Sequence, residues 1–376
     1  MAIVPDAFAY TYSPSFPQIL DALESSLAVT TFQTGKVLLI SAAGPDKLVQ
    51  LPRTFQRAMG LSRRGDMLAL AAKTETHILV NAPQLANTYP RKPRAYDALF
   101  TPRATYYTGD LDVHDVELTS KGLLAVNTRF SCLALLGEAY SFAPVWTPPF
   151  ITALTPDDRC HLNGMALDQD ENVRFVTALG RTNSGGAWRR DKASGGVLID
   201  VPNNTVVADH LPMPHSPLLV GDTLYMLLSA TGQVVRCNTK TGNMEIIAEL
   251  DGFLRGLDKR GDYLFIGMST LRESSSGFDD LPIAKRDLTC GVAVIHEPTG
   301  QVAGWLKYEG EVRELYDVMI LDGIRRPGIV NTESEHCRMA VTSPQNSWWA
   351  MSEDKQEKTQ EEPPAESGKA TAETSP

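Results

Sequence analysis

No stretch of the chain approaches the ~18 consecutive apolar residues that a membrane helix needs, and no CxxC pair occurs among its five cysteines. The first absence predicts no membrane association. The second removes zinc ribbons and thioredoxin-type redox sites. Cys132, Cys160, Cys237, Cys290 and Cys337 are odd in number and widely scattered, which fits a reducing cytosol better than a disulfide framework. The opening residues, MAIVPDAFAYTYSPSF, carry no basic segment ahead of an apolar run, so no secretory signal is expected and the cytoplasm is the expected location. Positive charge is in deficit: 35 Lys and Arg stand against 45 Asp and Glu, a net charge of −10. Nucleic-acid binding calls for a basic face and is not expected. No GxSxG, P-loop or GxGxxG stands in a strand–turn–helix context.

What the chain has is a repeat. Six segments share a small or acidic residue, a short apolar strand, a turn rich in Gly, Asp or Asn, and a second apolar strand. They are AMGLSRRGDMLALAA (58–72), VHDVELTSKGLLAVNT (113–128), LNGMALDQDENVRFVTAL (162–179), PHSPLLVGDTLYMLLSA (214–230), LRGLDKRGDYLFIGMS (254–269) and LYDVMILDGIRRPGIVN (315–331). Their starts lie roughly 40 to 60 residues apart, near the propeller-blade period of about 40–50. A second set of six hairpins alternates with them, from GKVLLISAAGPDKLVQL (35–51) and THILVNAPQL (76–85) to CGVAVIHEPTGQVAGWLKY (290–308). The pattern predicts an all-β, six-bladed β-propeller over 27–350, with N-terminal outer strands sealing the ring against C-terminal inner strands. A seventh blade would have to lie within 86–110. Residues 1–26 read as a short, partly helical cap. Residues 351–376 read as a disordered acidic tail: 352–376 hold no large apolar side chain, and 7 Asp and Glu stand against 3 Lys between 353 and 373.

Aligning the inner hairpins stacks particular residues. The position before the small or acidic residue is Met59, His114, Asn163, His215, Arg255 and Tyr316. Two residues earlier, on the same strand face by alternation, stand Arg57, Asp112, His161, Met213, Phe253 and Glu314. Three of the seven histidines fall in these two columns. In a propeller the columns line the central channel, where blades converge. Imidazoles meeting a carboxylate there suit a transition metal. The predicted ligands are His114, His161 and His215, with Glu314 as fourth ligand or general base and Asn163 as an oxygen alternative. Zn, Mn or Fe(II) is preferred over Ca. Asp112, Asp115 and Asp317 would orient ligands from behind. Arg255 and Tyr316 would orient a small polar substrate. Polar channel residues are also common simply because such channels are wet.

Two insertions, 177–196 and 269–291, are placed to hang over one mouth of the channel. Trp188, Arg189 and Arg190 in the first, and Arg272 and Glu273 in the second, are candidate substrate contacts. His77, His210, His296 and His336 read as structural or surface residues.

CHLNGMALDQDENVRFVTALG resembles the inner hairpin of gluconolactonase and regucalcin propellers. In that family an Asn-Gly pair opens such a strand and its Asn helps bind a divalent metal, a role that the resemblance carries to Asn163 alone. His114 and His215 stand where that family more often has oxygen ligands. The combination GDLDVHDVEL, FSCLALL, HLNGMAL, MPHSPLLVGDTLYMLLSATG, CGVAVI and RELYDV resembles an uncharacterised bacterial family of conserved hypothetical proteins over roughly 30–345. That resemblance implies a shared fold and no particular activity. The histidine-lined axis is also similar in principle to carotenoid cleavage oxygenases and oligogalacturonate lyases, at the level of fold.

The leading expectation is a metal-dependent propeller enzyme, hydrolase, lyase or oxygenase. One rival is a non-enzymatic propeller that binds a protein or peptide on its loop face. The other is metal-free acid–base catalysis by the same histidines.

Overall fold

The computed structural model describes residues 7–271 and 277–350. The expected tail, the first six residues of the cap, and Arg272 and Glu273 lie outside them. Six four-stranded antiparallel units, each a propeller blade, form a closed ring. From axis to rim, blade 1 runs Leu61–Arg64, Met67–Ala71, Glu75–Asn81 and Ala98–Tyr107. Blades 2 to 5 begin on the axis with Val113–Thr119, Leu162–Leu167, Pro214–Val220 and Phe253–Arg260. Blade 6 begins with Leu315–Leu321 and continues with Ser26–Thr31, Lys36–Ala42 and Leu48–Thr54.

The alternating hairpins do build six blades. The segment 86–110 supplies the rim strand of blade 1, Ala98–Tyr107, and not a seventh blade. The ring closes between N- and C-terminal strands, but LYDVMILDGIRRPGIVN is not a hairpin. Leu315–Leu321 pairs with Ser26–Thr31 instead, and Pro327–Ile329 crosses over to lie parallel to Ala98–Tyr107 on the rim of blade 1. The helix Ser15–Ala22 buries Phe16, Ile19 and Leu20 against blades 5 and 6, and Tyr10–Tyr12 adds a fifth strand to blade 5.

Blade faces are apolar, and the core consists of the layers between successive blades. Leu70, Leu79 and Phe100 of blade 1, for example, pack against Ala28, Leu39 and Met319 of blade 6. Near the axis the contact turns polar. A hydroxyl at the end of a second strand donates to a carbonyl of the next blade's inner chain: Thr30 to Met59 (2.7 Å), Thr128 to Leu162 (2.5 Å), Ser229 to Leu254 (2.6 Å) and Ser269 to Leu315 (3.0 Å). A second belt lies one residue further along each inner strand, at Gly60, Asp115, Gly164, Ser216, Gly256 and Asp317. Asp115 accepts from Met165 N, Ser216 from Gly256 N and Asp317 from Leu61 N, each in the following blade. The glycines let the neighbouring backbone approach. A Cβ on Gly60 would lie 2.8 Å from Asp115 Cα, and one on Gly256, whose φ is +77°, would strike Val318 N.

Gly256→Ala should therefore lower stability by roughly 2–4 kcal/mol, combining left-handed strain with overpacking. Gly261→Ala, at an equally left-handed turn facing open space, should cost about 1 kcal/mol. Urea unfolding midpoints compare the two.

Candidate functional site

Every inner strand is bulged beside the first column. In blade 2 the pairing steps from Val126–Asp115 to Asn127–Val113, which leaves His114 over. In blade 3 Asn163 is left over in the same way. Blades 5 and 6 slip at Arg255–Gly256 and Tyr316–Asp317; in blade 4 His215 keeps its pair with Leu227 and the slip falls at Ser216–Pro217, and in blade 1 both Met59 and Gly60 bond to Ala71. A bulge re-aims the extra side chain, and here it turns the column toward the axis. The second column is built differently from the expected strand alternation. Arg57, Asp112, His161 and Met213 lie just before their strands and take left-handed φ of 55, 52, 53 and 53° respectively. Each such non-glycine residue costs roughly 1–2 kcal/mol, and strain of this kind gathers at ligand sites.

The two columns enclose two cavities. The upper one, about 360 Å³, is bordered by Arg57, Asp112, His161, Met213, Phe253 and Glu314, the whole second column, together with Phe32, Trp188 and Phe278. The lower one, about 500 Å³, is bordered by Asp115, Glu117, Asn163, His215, Asp258 and Asp317. His114, Arg255 and Tyr316 border both and form the partition between them. The three histidines predicted to share a site are thus divided: His161 borders the upper cavity, His215 the lower, and His114 both.

In the upper cavity His161 Nδ1 lies 3.0 Å from Asp158 Oδ2. Asp158 also accepts from Trp188 Nε1 at 2.9 Å and lies 3.5 Å from Arg189. Burial would raise the Asp158 carboxyl, but its hydrogen bond and attraction to His161 outweigh that and hold it low. The Trp188 ring packs on His161 at 4.2 Å, and Arg189 stacks on Trp188 at 4.3 Å, so these two of the three sequence candidates from this loop border the cavity, and Arg190 does not. Arg272 lies outside the described residues. The His114 ring meets His161 edge-on at 4.7 Å, and its Nδ1 lies 2.9 Å from the Asp112 carbonyl. Burial lowers His114 to about 4, so it is neutral at pH 7. Arg57 pairs with Asp112 and Arg255 with Glu314, each at 3.0 Å, and each guanidinium lies over an aromatic ring, Phe32 for the first and Phe253 and Tyr316 for the second.

Below the partition, His215 Nδ1 reaches Met213 O and Ser229 Oγ, and burial keeps the ring neutral. Asn163 is tied to the frame: its amide donates to Pro214 O and accepts from Thr177 Oγ1. Asp115 and Asp317, expected to orient histidines, instead bond backbone N–H groups of the next blade. Burial, and for each the charge of a nearby carboxylate, raises both to about 8. Burial likewise raises Glu117 to about 7 and Asp258 to about 6.

Asp112 lies beside His114, through its carbonyl more than its carboxylate, which is 3.9 Å away. The sequence reading missed Asp158, Glu117 and Asp258. The Asp158–His161 spacing of three residues was the available signal for the first; the other two each follow a first-column residue, His114 and Arg255, by three positions on inner strands. Among the described residues no group of three or more His, Cys, Asp or Glu side chains is arranged to hold a metal ion.

Among the described residues seven buried side-chain polar atoms have no hydrogen-bond partner, and four of them lie at or beside this axis: Arg57 Nε, Arg255 Nε, Asp158 Oδ1 and His215 Nε2. Such atoms are rare in native proteins and call for a ligand or water.

The carboxylates carry a pH signature. A folded pKa of about 8 exceeds the unfolded value, so the stability tied to Asp115 and Asp317 is lost as pH rises through 8. His114 and His215, with lowered pKa values, oppose this only below about pH 6.5. The thermal midpoint should therefore rise as pH falls from 8.5 to 6.5. Asp317→Asn, whose amide oxygen can still accept from Leu61 N, should flatten that rise; an unchanged slope would remove the assignment.

A family model described as "Domain of unknown function (DUF4915)" matches residues 14–330. No curated protein matches the chain. Similar solved structures include a chain of a nidogen/laminin complex, with a TM-score of 0.48 at 10% identity, covering 80% of this chain and 99% of that one. Another is a protein of unknown function from Bacteroides caccae, with a TM-score of 0.48 at 10% identity, covering 79% and 98%.

Proposed function

We propose that this chain, which belongs to the DUF4915 family, binds a small molecule with an anionic group in the upper cavity and acts on it by acid–base chemistry. The observation that carries this reading is the pair of unsatisfied guanidinium donors, Arg57 Nε and Arg255 Nε, on two side chains that border one aromatic-walled cavity. Donors on two cations call for an acceptor that carries negative charge. The volume suits a small organic ligand, and Phe32, Trp188, Phe253 and Phe278 suit an apolar or aromatic portion.

In this reading His161 is the general base. Asp158 accepts from Nδ1–H, which leaves the Nε2 lone pair free to take a proton, and the carboxylate steadies the imidazolium that forms. Tyr316, kept as a phenol by burial, is available as a donor to developing negative charge. Glu314 moves from the base predicted for it to the partner that holds Arg255.

A metal-dependent reading keeps one observation in its favour. All three histidines bond an oxygen through Nδ1 and so present Nε2, as metal-bound histidines do. The division of the three between two cavities weighs against it. Elemental analysis of the purified protein separates the readings. Acid–base chemistry predicts no stoichiometric metal; Zn, Mn or Fe lost on His114→Ala plus His161→Ala would return the metal reading.

Thermal-shift screening with mono- and dicarboxylates and phosphate esters, some bearing aromatic rings, should identify binders. For a binder, Arg57→Met should weaken affinity by about tenfold or more, the loss of one charge-assisted contact. His161→Gln should preserve binding and abolish turnover. Binding unaffected by both Arg57→Met and Arg255→Met would sink the proposal.

A further inference from the structure

We propose that the lower cavity is a second site, which takes an organic ammonium ion of the oligoamine type, held by Asp115, Glu117, Asp258 and Asp317 with His215 Nε2 as a neutral acceptor. It is separated from the upper cavity by His114, Arg255 and Tyr316 and goes beyond the function proposed there.

The charge balance points to a cation. None of the four carboxylates is ion-paired among the described residues. The positive groups facing the cavity are Arg63 and Arg255. Arg63 is bonded to the Gly65 and Asp322 carbonyls at the mouth, and Arg255 is paired with Glu314 from the other side. The remaining titratable groups that face it are His114, His215, Tyr316 and Asp322. Part of the acid cluster has a structural duty. Asp115, Asp258 and Asp317 each bond a backbone N–H of a neighbouring blade, Met165, Ile320 and Leu61 respectively, and Glu117 accepts from Ser62 Oγ. Asp258 and Asp317 also accept from Lys259 N and Val318 N through the other oxygen, and none of these bonds requires a net charge.

His215 is the independent observation. It is 5% exposed, borders this cavity, and its Nε2 has no partner. The Ser229 hydroxyl donates to Leu254 O and the Met213 carbonyl can only accept, so Nδ1 carries the proton and Nε2 presents a lone pair. A buried, unpartnered lone pair on a residue that borders a carboxylate-lined cavity needs a donor.

The shape argues against a single small ion. The acceptors are spread around about 500 Å³, and no three acidic or imidazole groups are arranged to hold a metal among the described residues. An elongated cation with several N–H donors reaches acceptors that one ion cannot. Two of the acids are held largely protonated near pH 7 in the free protein, so an arriving cation should displace protons.

Calorimetric titration of the full chain with spermidine, and separately with MgCl2 and CaCl2, tests this. Spermidine is expected to bind at pH 8, more weakly at pH 6, with a heat that varies with the buffer's ionisation enthalpy as protons are released. Asp115→Asn plus Glu117→Gln should weaken it about tenfold or more. If that variant does not fold, Asp258→Asn, which preserves an acceptor for Ile320 N, should weaken it in the same direction. The proposal is overturned if spermidine does not bind at millimolar concentration. It is equally overturned if binding is unchanged in the folded variants, or if equimolar Mg2+ or Ca2+ displaces spermidine.

Discussion

The ring depends on hydrogen bonds carried by side chains across blade boundaries at the axis. Strands within a blade satisfy each other's backbone groups, but an inner strand has no strand partner on its axial side. Its buried N–H and C=O groups there must find partners or cost free energy. Thr30, Thr128, Ser229 and Ser269 supply donors, and Asp115, Ser216, Asp258 and Asp317 supply acceptors. Apolar packing between the blade faces gives the bulk of the cohesion, while these polar pins set where each inner strand stops and turns.

The same pins explain why the axis is chemically rich. An Asp that must accept a bond from the next blade brings a titratable carboxyl to the channel, even where, as in Asp258 and Asp317, its other oxygen accepts from the following residue's N–H. A bulge beside it turns the neighbouring residue inward. His114, Asn163, His215, Arg255 and Tyr316 reach the axis by that device, and Asn163 alone among them is wholly absorbed into the frame by Thr177 and Pro214. The partition of His114, Arg255 and Tyr316 then gives the channel two characters. Above it are paired charges, aromatic walls and an Asp–His pair. Below it are carboxylates without cations.

The architecture was legible because a blade repeats its pattern and because apolar strands alternate with turns rich in Gly, Asp and Asn. Both columns were legible for the same reason, and the structure sets the whole second column around one cavity. The height at which each side chain meets the axis was not legible. His161 and His215 differ by one column in the alignment, yet that difference puts a partition between them, and only the bulges and left-handed residues decide it. Asp158 was missed because it sits in an irregular segment before its strand, where no period marks it. The last repeat was misread because RRPGIVN is apolar enough for a hairpin strand, while parallel addition to blade 1 leaves no turn signal of its own.

Blade 6 joins residues near both ends of the described chain, and this has a consequence for the order of assembly. Ser26–Thr31 is made early in synthesis but its inner neighbour, Leu315–Leu321, follows almost three hundred residues later. Until then three strands of that blade present an unpaired edge, and blades 1 and 5 have no closed ring to lean on. Pairing across so long a loop is slow, and exposed edges of this kind invite association with other chains. The strand Tyr10–Tyr12 pairs with blade 5, and the helix Ser15–Ala22 packs on both blade 5 and Lys36–Ala42 of blade 6, a tether that ties the edge awaiting its inner strand to the neighbouring blade.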